Sequence, residues 1–498
     1  MATSTRDRDA AKGYSFFNPK LRDASYKSGD IYETEKVQAE RAEWEITALT
    51  LTGSRSDSEE FISSDALRVA IKGEVDEKDD PTRQLRLFIV EDLSRDVIEI
   101  LGAHLDIEPT FFREHIVDYA WYNVRDRWIN HPALNVVTRR QRWLQLRFVM
   151  PRYFDTKDSF TEGFKEAECF NVHRRPDDDQ NVNSIWDNKD AVVGLTRTRA
   201  SFWMKSGGCT KYKTVGIILI DPTIKEGRPL WYGYRNWEPT PSVNSHDAPP
   251  NPPRTSLYED LIFWAKRPQG FQYLSDTDPK NAHLPIYALL HLVSAEWLIM
   301  CDYIKSRLGQ IEWGISYPEH FIGKGDSVDM ALKKLHVWRR LVPLYREMLN
   351  ETMQRVFYFP CNGEVTTDAV TPERSGNISA LKTDFNQILS YMEEYQQRID
   401  RLTSVVTAII SIADSRRGQD DNRNMAQLTW LATFFIPLSY IASLFSMQAD
   451  LSGMGHTYWL YVAIAVPLAI VSLGVARVLT YPNVHRFVKN IFTFGGKA

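Results

Sequence analysis

The chain is poor in cysteine, and what it has is scattered. Cys169, Cys209, Cys301 and Cys361 form no CxxC pair. That excludes the common zinc and dithiol redox motifs and leaves buried free thiols in a reducing compartment as the plain reading. A basic surplus is also missing. The 60 Lys and Arg are outnumbered by 64 Asp and Glu, for a net charge of −4. Nucleic-acid binders carry the opposite balance, so nucleic acid is not an expected partner. Catalytic signatures are lacking too. No GxxxxGK[ST], GxSxG or HExxH occurs, and the eleven histidines show no metal-ligand spacing. No enzyme is expected. The N-terminal stretch MATSTRDRDAAKGYSFFNPKLRD has no apolar core of a signal peptide, so the bulk of the chain is expected in the cytosol.

Charge is absent from one place in particular. Between Arg423 and Asp450 there is no Lys, Arg, Asp or Glu. The stretch from Leu428 to Met447 is twenty residues long, enough to cross ~30 Å of hydrocarbon. From Leu451 to Gly474 the chain is again free of those residues, with Tyr458, Trp459 and Tyr461 crowding the start of its apolar part, as at an interfacial aromatic belt. Two such runs so close together predict a transmembrane helical hairpin in a lipid bilayer. Arg398, Arg401, Arg416, Arg417 and Arg423 precede it, and Arg477, Arg486, Lys489 and Lys497 follow. The loop from Ala449 to Thr457 has no Lys or Arg. The positive-inside rule then places both termini in the cytosol. The plasma membrane is the expected location, with an organelle membrane as the alternative.

Upstream of the hairpin, Ile378, Leu381, Phe385, Ile388, Met392, Tyr395, Ile399, Leu402, Val406, Ile409 and Ala413 recur at alternating spacings of three and four. This is a heptad seam. Between Asn377 and Pro437 there is no proline, and Gly418 is the only glycine. The pattern predicts one helix from about Gly376 through the first span, ~110 Å long at 1.5 Å per residue. Its apolar face is covered by the helix around 328–352 within the chain, by neighbouring subunits, or by both on different faces.

Before residue 360 the pattern is mixed. Strands are expected at 43–51, 66–72, 85–93, 143–150, 191–204 and 215–221. Helices are expected at 94–105, 109–121, 256–267, about 285–308 and 328–352. This predicts an α+β cytosolic domain. The segment EPTPSVNSHDAPPNPPR (238–254) reads as a proline-rich spacer. DDDQNVNSIWDN (177–188) opens like a calcium loop, but Val182 replaces the turn glycine and Asn188 the bidentate glutamate. It reads as a solvated acidic loop, as does DEKDD (76–80). The expected organisation is a flexible segment over 1–40 and a cytosolic domain over 41–360. A stalk helix follows over 376–427, then a first span over 428–448 and an outer loop over 449–457. A second span over 458–479 and a tail over 480–498 complete it.

In this order of parts the chain resembles the CorA family of magnesium transporters. LTWLATFFIPLSYIASLFSM (428–447) is similar to the family's first span, and SRRGQDDNRNMAQLT (415–429) to the run entering it. LRLFIVEDLSRDVIEILGAHLDIEPTFFREHI (85–116) resembles a divergent fungal branch of the cytosolic domain. The family closes its first span with Gly-Met-Asn, whereas this chain has Ser446-Met447-Gln448. Gln448 keeps the carboxamide that could hold a hydrated magnesium ion through its water shell, but is one methylene longer. Ser446 removes the backbone freedom of glycine.

The resemblance implies a CorA-like funnel: an α+β domain, a very long stalk helix and a two-helix C-terminal hairpin, assembled as a homopentamer around a pore. It implies divalent cations as cargo and Mg2+ as both transported ion and regulatory ligand. By position, Asn422, Met425 and Leu428 fall where the family has a polar ring and an apolar constriction. Ile436 and Ser439 fall further out on the lumen face. Helical spacing independently joins Asn422, Met425, Leu428, Ala432, Ile436, Ser439 and Ser443 into one stripe. The same stripe could be a helix–helix interface of small residues. Pro437 fits a helix bend, and Asp450 is a carboxylate in the outer loop. Asp384, Glu393, Glu394 and Asp400 are candidate regulatory carboxylates on the stalk. Two other readings stand beside transport: a scaffold or magnesium sensor that lost it, and a soluble enzyme with a membrane tail.

Overall fold

In a computed structural model the described residues are 45–52, 55–76, 85–116, 134–138, 141–172, 174, 176–179, 188, 190–206, 212, 214–233, 244, 252–266, 287–317, 327–357, 376–446 and 454–479. Outside them fall the expected segment 1–40, most of the acidic runs 76–80 and 177–188, and nearly all of the spacer 238–254. Cys209, Cys361, Met447, Gln448, Asp450 and the tail 480–498 also fall outside. The chain divides into two units, residues 1–403 and 404–498.

The first unit is built on an eight-stranded mixed sheet. Its strands are β1 (Glu45–Thr52), β2 (Arg55–Phe61), β3 (Leu85–Glu91), β4 (Trp143–Phe154), β5 (Pro176–Asp178), β6 (Val192–Ser206), β7 (Thr214–Ile220) and β8 (Arg228–Pro229). The order is β2-β1-β3-β7-β6-β4-β8, with β5 beside β6. β3 and β7 are parallel and the other pairs antiparallel. The runs LRLFIVE and TVGIILI make these two central strands because they are apolar on both faces, as a doubly covered strand must be. One face packs under α1 (Ser64–Asp76), α2 (Arg95–Leu105) and α3 (Pro109–Ile116), where Phe88, Val90, Trp203 and Ile217 meet Leu67, Leu101, Phe111 and Phe112. On the other, Thr47 hydrogen-bonds Tyr258 of α5 (Leu257–Ala265) at 2.8 Å.

Local chemistry sets the helix ends. The Ser94 hydroxyl accepts from the amide of Val97, and Asp106 closes α2 in the left-handed region at φ 54°. Thr156 caps α4 (Lys157–Cys169) and Ser256 caps α5 in the same way. Each such cap stabilises its helix by ~1 kcal/mol. Gly163 and Gly194 allow the Phe154 ring to approach, since a Cβ at either would come within 2.7 and 2.9 Å of it.

The strand expected at 66–72 is instead part of helix α1. Val69 and Ile71 favour a strand by propensity. The buried positions, however, are Leu67, Ile71 and Glu74, spaced four and three, while Val69 is 73% exposed. One helical face explains that pattern and alternation does not. β2 has no counterpart among the expected strands, because RSDSEEF is almost wholly polar. It is an edge strand held by pairing with β1, and a charged edge discourages further pairing.

A polar seam crosses the sheet beyond the ends of β3 and β7. Asp92, at φ 56°, accepts hydrogen bonds from the amide and side chain of Asn171 and the amide of Val172 at 2.9–3.0 Å. Burial nevertheless pushes its carboxyl up to about 6, against the pull of those donors. Asp221 accepts from Arg174 Nε at 2.8 Å and the Arg199 amide at 2.7 Å. Burial raises its pKa, opposed by Arg174. His115 is fully buried, with Nδ1 3.0 Å from Ser201 Oγ and Nε2 3.3 Å from Asp221. Burial and the neighbouring arginines hold its pKa well below 6.5. These groups tie α3 and residues 171–174 to the sheet.

Two long helices complete the unit, α6 (Tyr287–Ser316) and α7 (Ser327–Val356), before α8 (Gly376–Ser446) begins. The most apolar window of α6 is long enough to cross a membrane, yet 78% of it is buried. It is a core helix. On α8, Leu381, Phe385, Ile388, Met392, Tyr395, Ile399 and Leu402 are all buried within this one chain. Arg346 of α7 reaches Glu393 and Gln396, Arg398 pairs with Glu312 of α6, and the Phe357 and Phe385 rings lie 6.1 Å apart. The cover of the seam thus includes α6 and α7 of the same chain.

Candidate functional site

The second unit holds residues 404–446 of α8 and α9 (Met454–Leu479). Only 6% of the apolar window in α8 and 11% of that in α9 is buried. These helices expose Met425, Trp430, Leu431, Phe434, Trp459, Ile470 and Val471 among other large apolar groups. So much bare apolar surface suits hydrocarbon or another copy of the chain, not water.

The two helices run antiparallel. Tyr461 donates to the Leu438 carbonyl and Ser472 reaches the Thr433 carbonyl, each at 3.3 Å. Ala465 and Ala469, four residues apart, are 1% and 2% exposed and Ile441 is 9% exposed. Small residues let helix backbones approach closely in a membrane.

Pro437 has no amide hydrogen to give to the carbonyl four residues earlier, which is that of Thr433. Ser472 Oγ lies against that oxygen. Other hydroxyls fold back on their own helix: Thr429 onto Met425, Thr433 onto Thr429, and Ser439 onto Ile436. This leaves few polar groups asking for water at membrane depth.

The sequence stripe stays together on one helix face. Asn422, Met425, Leu428, Ala432, Ile436, Ser439 and Ser443 are all exposed within the single chain, with Met425, Leu428 and Ile436 at 66%, 67% and 65%. At ~100° per residue they lie about half a turn from Ile441, which faces α9. Ser446 is the last residue of α8 and is exposed. Met447, Gln448 and Asp450 lie outside the described residues.

The stalk carboxylates do not converge. Asp384 and Asp400 are sixteen residues, ~24 Å, apart along the helix. Glu393 is 2.8 Å from Arg346. Desolvation raises the pKa of Asp384, which is exposed. Among the described residues no three His, Cys, Asp or Glu side chains form a metal-binding group.

No curated protein matches this chain. By fold it is similar to the complete CorA magnesium transporter of Methanocaldococcus jannaschii, at 9% identity and a TM-score of 0.39, covering 87% of this chain and 97% of that one. It is also similar to the full-length CmaX protein, at 13% identity and a TM-score of 0.36, covering 91% of this chain and all of that one. Residues 269–481 match the family model described as CorA-like Mg2+ transporter protein. That segment takes in α6, α7, α8 and α9, the seam and the hairpin, and it is over this segment that the chain is similar to the CorA-like Mg2+ transporter family.

Proposed function

We propose that the protein is a homopentameric Mg2+ channel in which five copies of α8 surround the ion path. The observation that carries this reading is the exposed stripe from Asn422 to Ser443, set away from α9 on a helix otherwise clad in apolar side chains. In this arrangement Asn422 forms a polar ring, Met425 and Leu428 form an apolar constriction that gates by dewetting, and Ala432, Ile436, Ser439 and Ser443 line the outer half. Ser446, Met447 and Gln448 form the mouth, and Asp450 attracts cations to it. A hydrated magnesium ion meets the Gln448 carboxamides through its water shell. The membrane potential drives uptake, at ~4.6 kcal/mol per divalent ion per 100 mV. A regulatory Mg2+ on Asp384, Glu393, Glu394 or Asp400 has to be shared between copies, because these four do not meet within one.

The second reading, a scaffold or magnesium sensor, is favoured by one observation: Ser446-Met447-Gln448 stands where the family has Gly-Met-Asn. The test is Mg2+ uptake into liposomes under an inside-negative potential, comparing the natural chain, Gln448→Ala and the double change Ser446→Gly, Gln448→Asn. Uptake by the natural chain that falls with Gln448→Ala supports the channel. Uptake only after the double change supports the scaffold or sensor.

A further inference from the structure

We propose that Met425 is an oxidation site and that its sulfoxide opens the constriction of the ion path. The second half of this rests on the channel reading, and the first does not. Met425 is 66% exposed, and it is the one exposed methionine among those whose side chains are described. Met300, Met348 and Met392 are 0%, 2% and 0% exposed, and the rest of that set are half-buried. Met425 also stands at the edge of water. Arg423, the last charged residue before the charge-free run, is two positions earlier and exposed, and Leu428 opens the span three positions later. Along the helix axis Met425 lies only ~4–5 Å before Leu428. An aqueous oxidant therefore meets its sulfur without crossing hydrocarbon.

The thioether is the reactive group at this level of the helix. The Thr429 hydroxyl, one turn on, donates to the Met425 carbonyl at 2.8 Å and is spent there. Hydrogen peroxide transfers one oxygen to the sulfur: the O–O bond breaks, an S–O bond forms and water leaves. Sulfur is oxidised by two electrons and the peroxide is reduced by two. A flexible apolar side chain becomes a polar, chiral one. A passage that excludes ions by dewetting depends on walls that stay apolar. The stripe sets Met425 one turn from Asn422 and one turn from Leu428. A sulfoxide there extends the polar end of the stripe by a turn and leaves Leu428 as the one apolar level of the pair.

The test treats the full-length protein in liposomes with graded hydrogen peroxide on both sides of the membrane. Each sample is divided between peptide mapping by mass spectrometry and Mg2+ uptake under an inside-negative potential. Met425 sulfoxide should accumulate at a peroxide dose at least ~fivefold lower than that needed for Met300 or Met392. Uptake should rise several-fold in step with it and fall back after treatment with the two methionine sulfoxide reductases, one for each epimer. Met425→Gln, which places a polar group at the same level, should raise uptake without peroxide. In Met425→Leu, whatever its own uptake, peroxide should change it by less than about twofold. That variant also controls for oxidation elsewhere, including at the exposed Cys169. Oxidation of Met425 no sooner than of Met300 and Met392 would overturn the site. Early oxidation with unmoved uptake, or an undiminished peroxide response in Met425→Leu, would overturn its role in opening the path. No uptake from any sample, Met425→Gln included, would overturn that role together with the channel reading, while the peptide map still decides the oxidation site.

Discussion

The hydroxyl of Ser472 lies 3.3 Å from the carbonyl oxygen of Thr433, the carbonyl that Pro437 deprives of its helical donor. It also lies 2.9 Å from the Ala469 carbonyl of its own helix, so the interaction is shared. Side-chain hydrogen bonds between membrane helices contribute ~0.6 kcal/mol on average. Ser472→Ala should therefore weaken the hairpin by roughly that amount. In a Pro437→Ala background the amide gained at that position satisfies the Thr433 carbonyl, and Ser472→Ala should cost less. A double-mutant cycle read by unfolding in detergent measures the coupling. Equal costs in both backgrounds would show that Ser472 does not serve the proline.

Met425 and Leu428 sit on the stripe, exposed in the single chain. In the proposed channel they form an apolar constriction that resists ion entry. Leu428→Asn should wet the passage and raise Mg2+ flux several-fold. Phe434, on the side of α8 opposite the stripe, is the control, and Phe434→Leu should leave flux within about twofold. Flux assays in liposomes compare the two. A larger change from Phe434→Leu would place the path elsewhere.

Asp92 gives stability a pH signature. Its folded pKa, about 6, exceeds the 3.8 of an ordinary aspartate. The folded state therefore holds the proton more tightly, and this group's contribution grows as pH falls from about 7 towards 4. Asp92→Asn removes that dependence. Between pH 7.5 and pH 5 the stability of the natural chain relative to Asp92→Asn should rise by ~1 kcal/mol. His115 titrates in both proteins and cancels in the difference. Denaturant unfolding at the two pH values provides the measurement. A difference that falls on acidification would mean the three N–H donors dominate and the carboxylate is ionised more readily than burial suggests.

Glu393 pairs with Arg346 at 2.8 Å, with side chains 50% and 31% exposed. An ion pair so open to solvent contributes ~0–1 kcal/mol. Glu393→Gln should shift unfolding by less than about 1 kcal/mol. If Glu393 holds only Arg346, the substitution should also leave the Mg2+ concentration for half-maximal uptake unchanged. A large shift in that concentration would place Glu393 in a regulatory cation site shared between copies.

Much of this was legible in the sequence because long apolar periodicities survive folding. Leu381 to Leu402 bury as their spacing predicts, and the charge-free runs become the two exposed helices of the second unit. The stripe was legible for the same reason, since one helix face needs no tertiary information. What was not legible depends on partners distant in the chain. RSDSEEF becomes a strand only because β1 lies beside it. Val69 and Ile71 pulled 66–72 towards a strand that packing against α2 and the sheet makes helical. Helix α4 carries only a thin apolar face, with Gly163 and Ala167 buried. The Ser472 contact joins residues 39 apart, and no local pattern reports it.

The most direct measurement of the pore assignment is Mg2+ uptake by liposomes containing Ser439→Cys protein, before and after a small charged thiol reagent. Ile441→Cys, on the face towards α9, and the natural chain with its own exposed Cys169 are the controls. The account predicts at least a tenfold loss of uptake for Ser439→Cys alone, since a charged group on the stripe obstructs a dewetting pore. Uptake that survives modification at Ser439, or is lost equally at Ile441, would contradict the assignment of the stripe to the ion path.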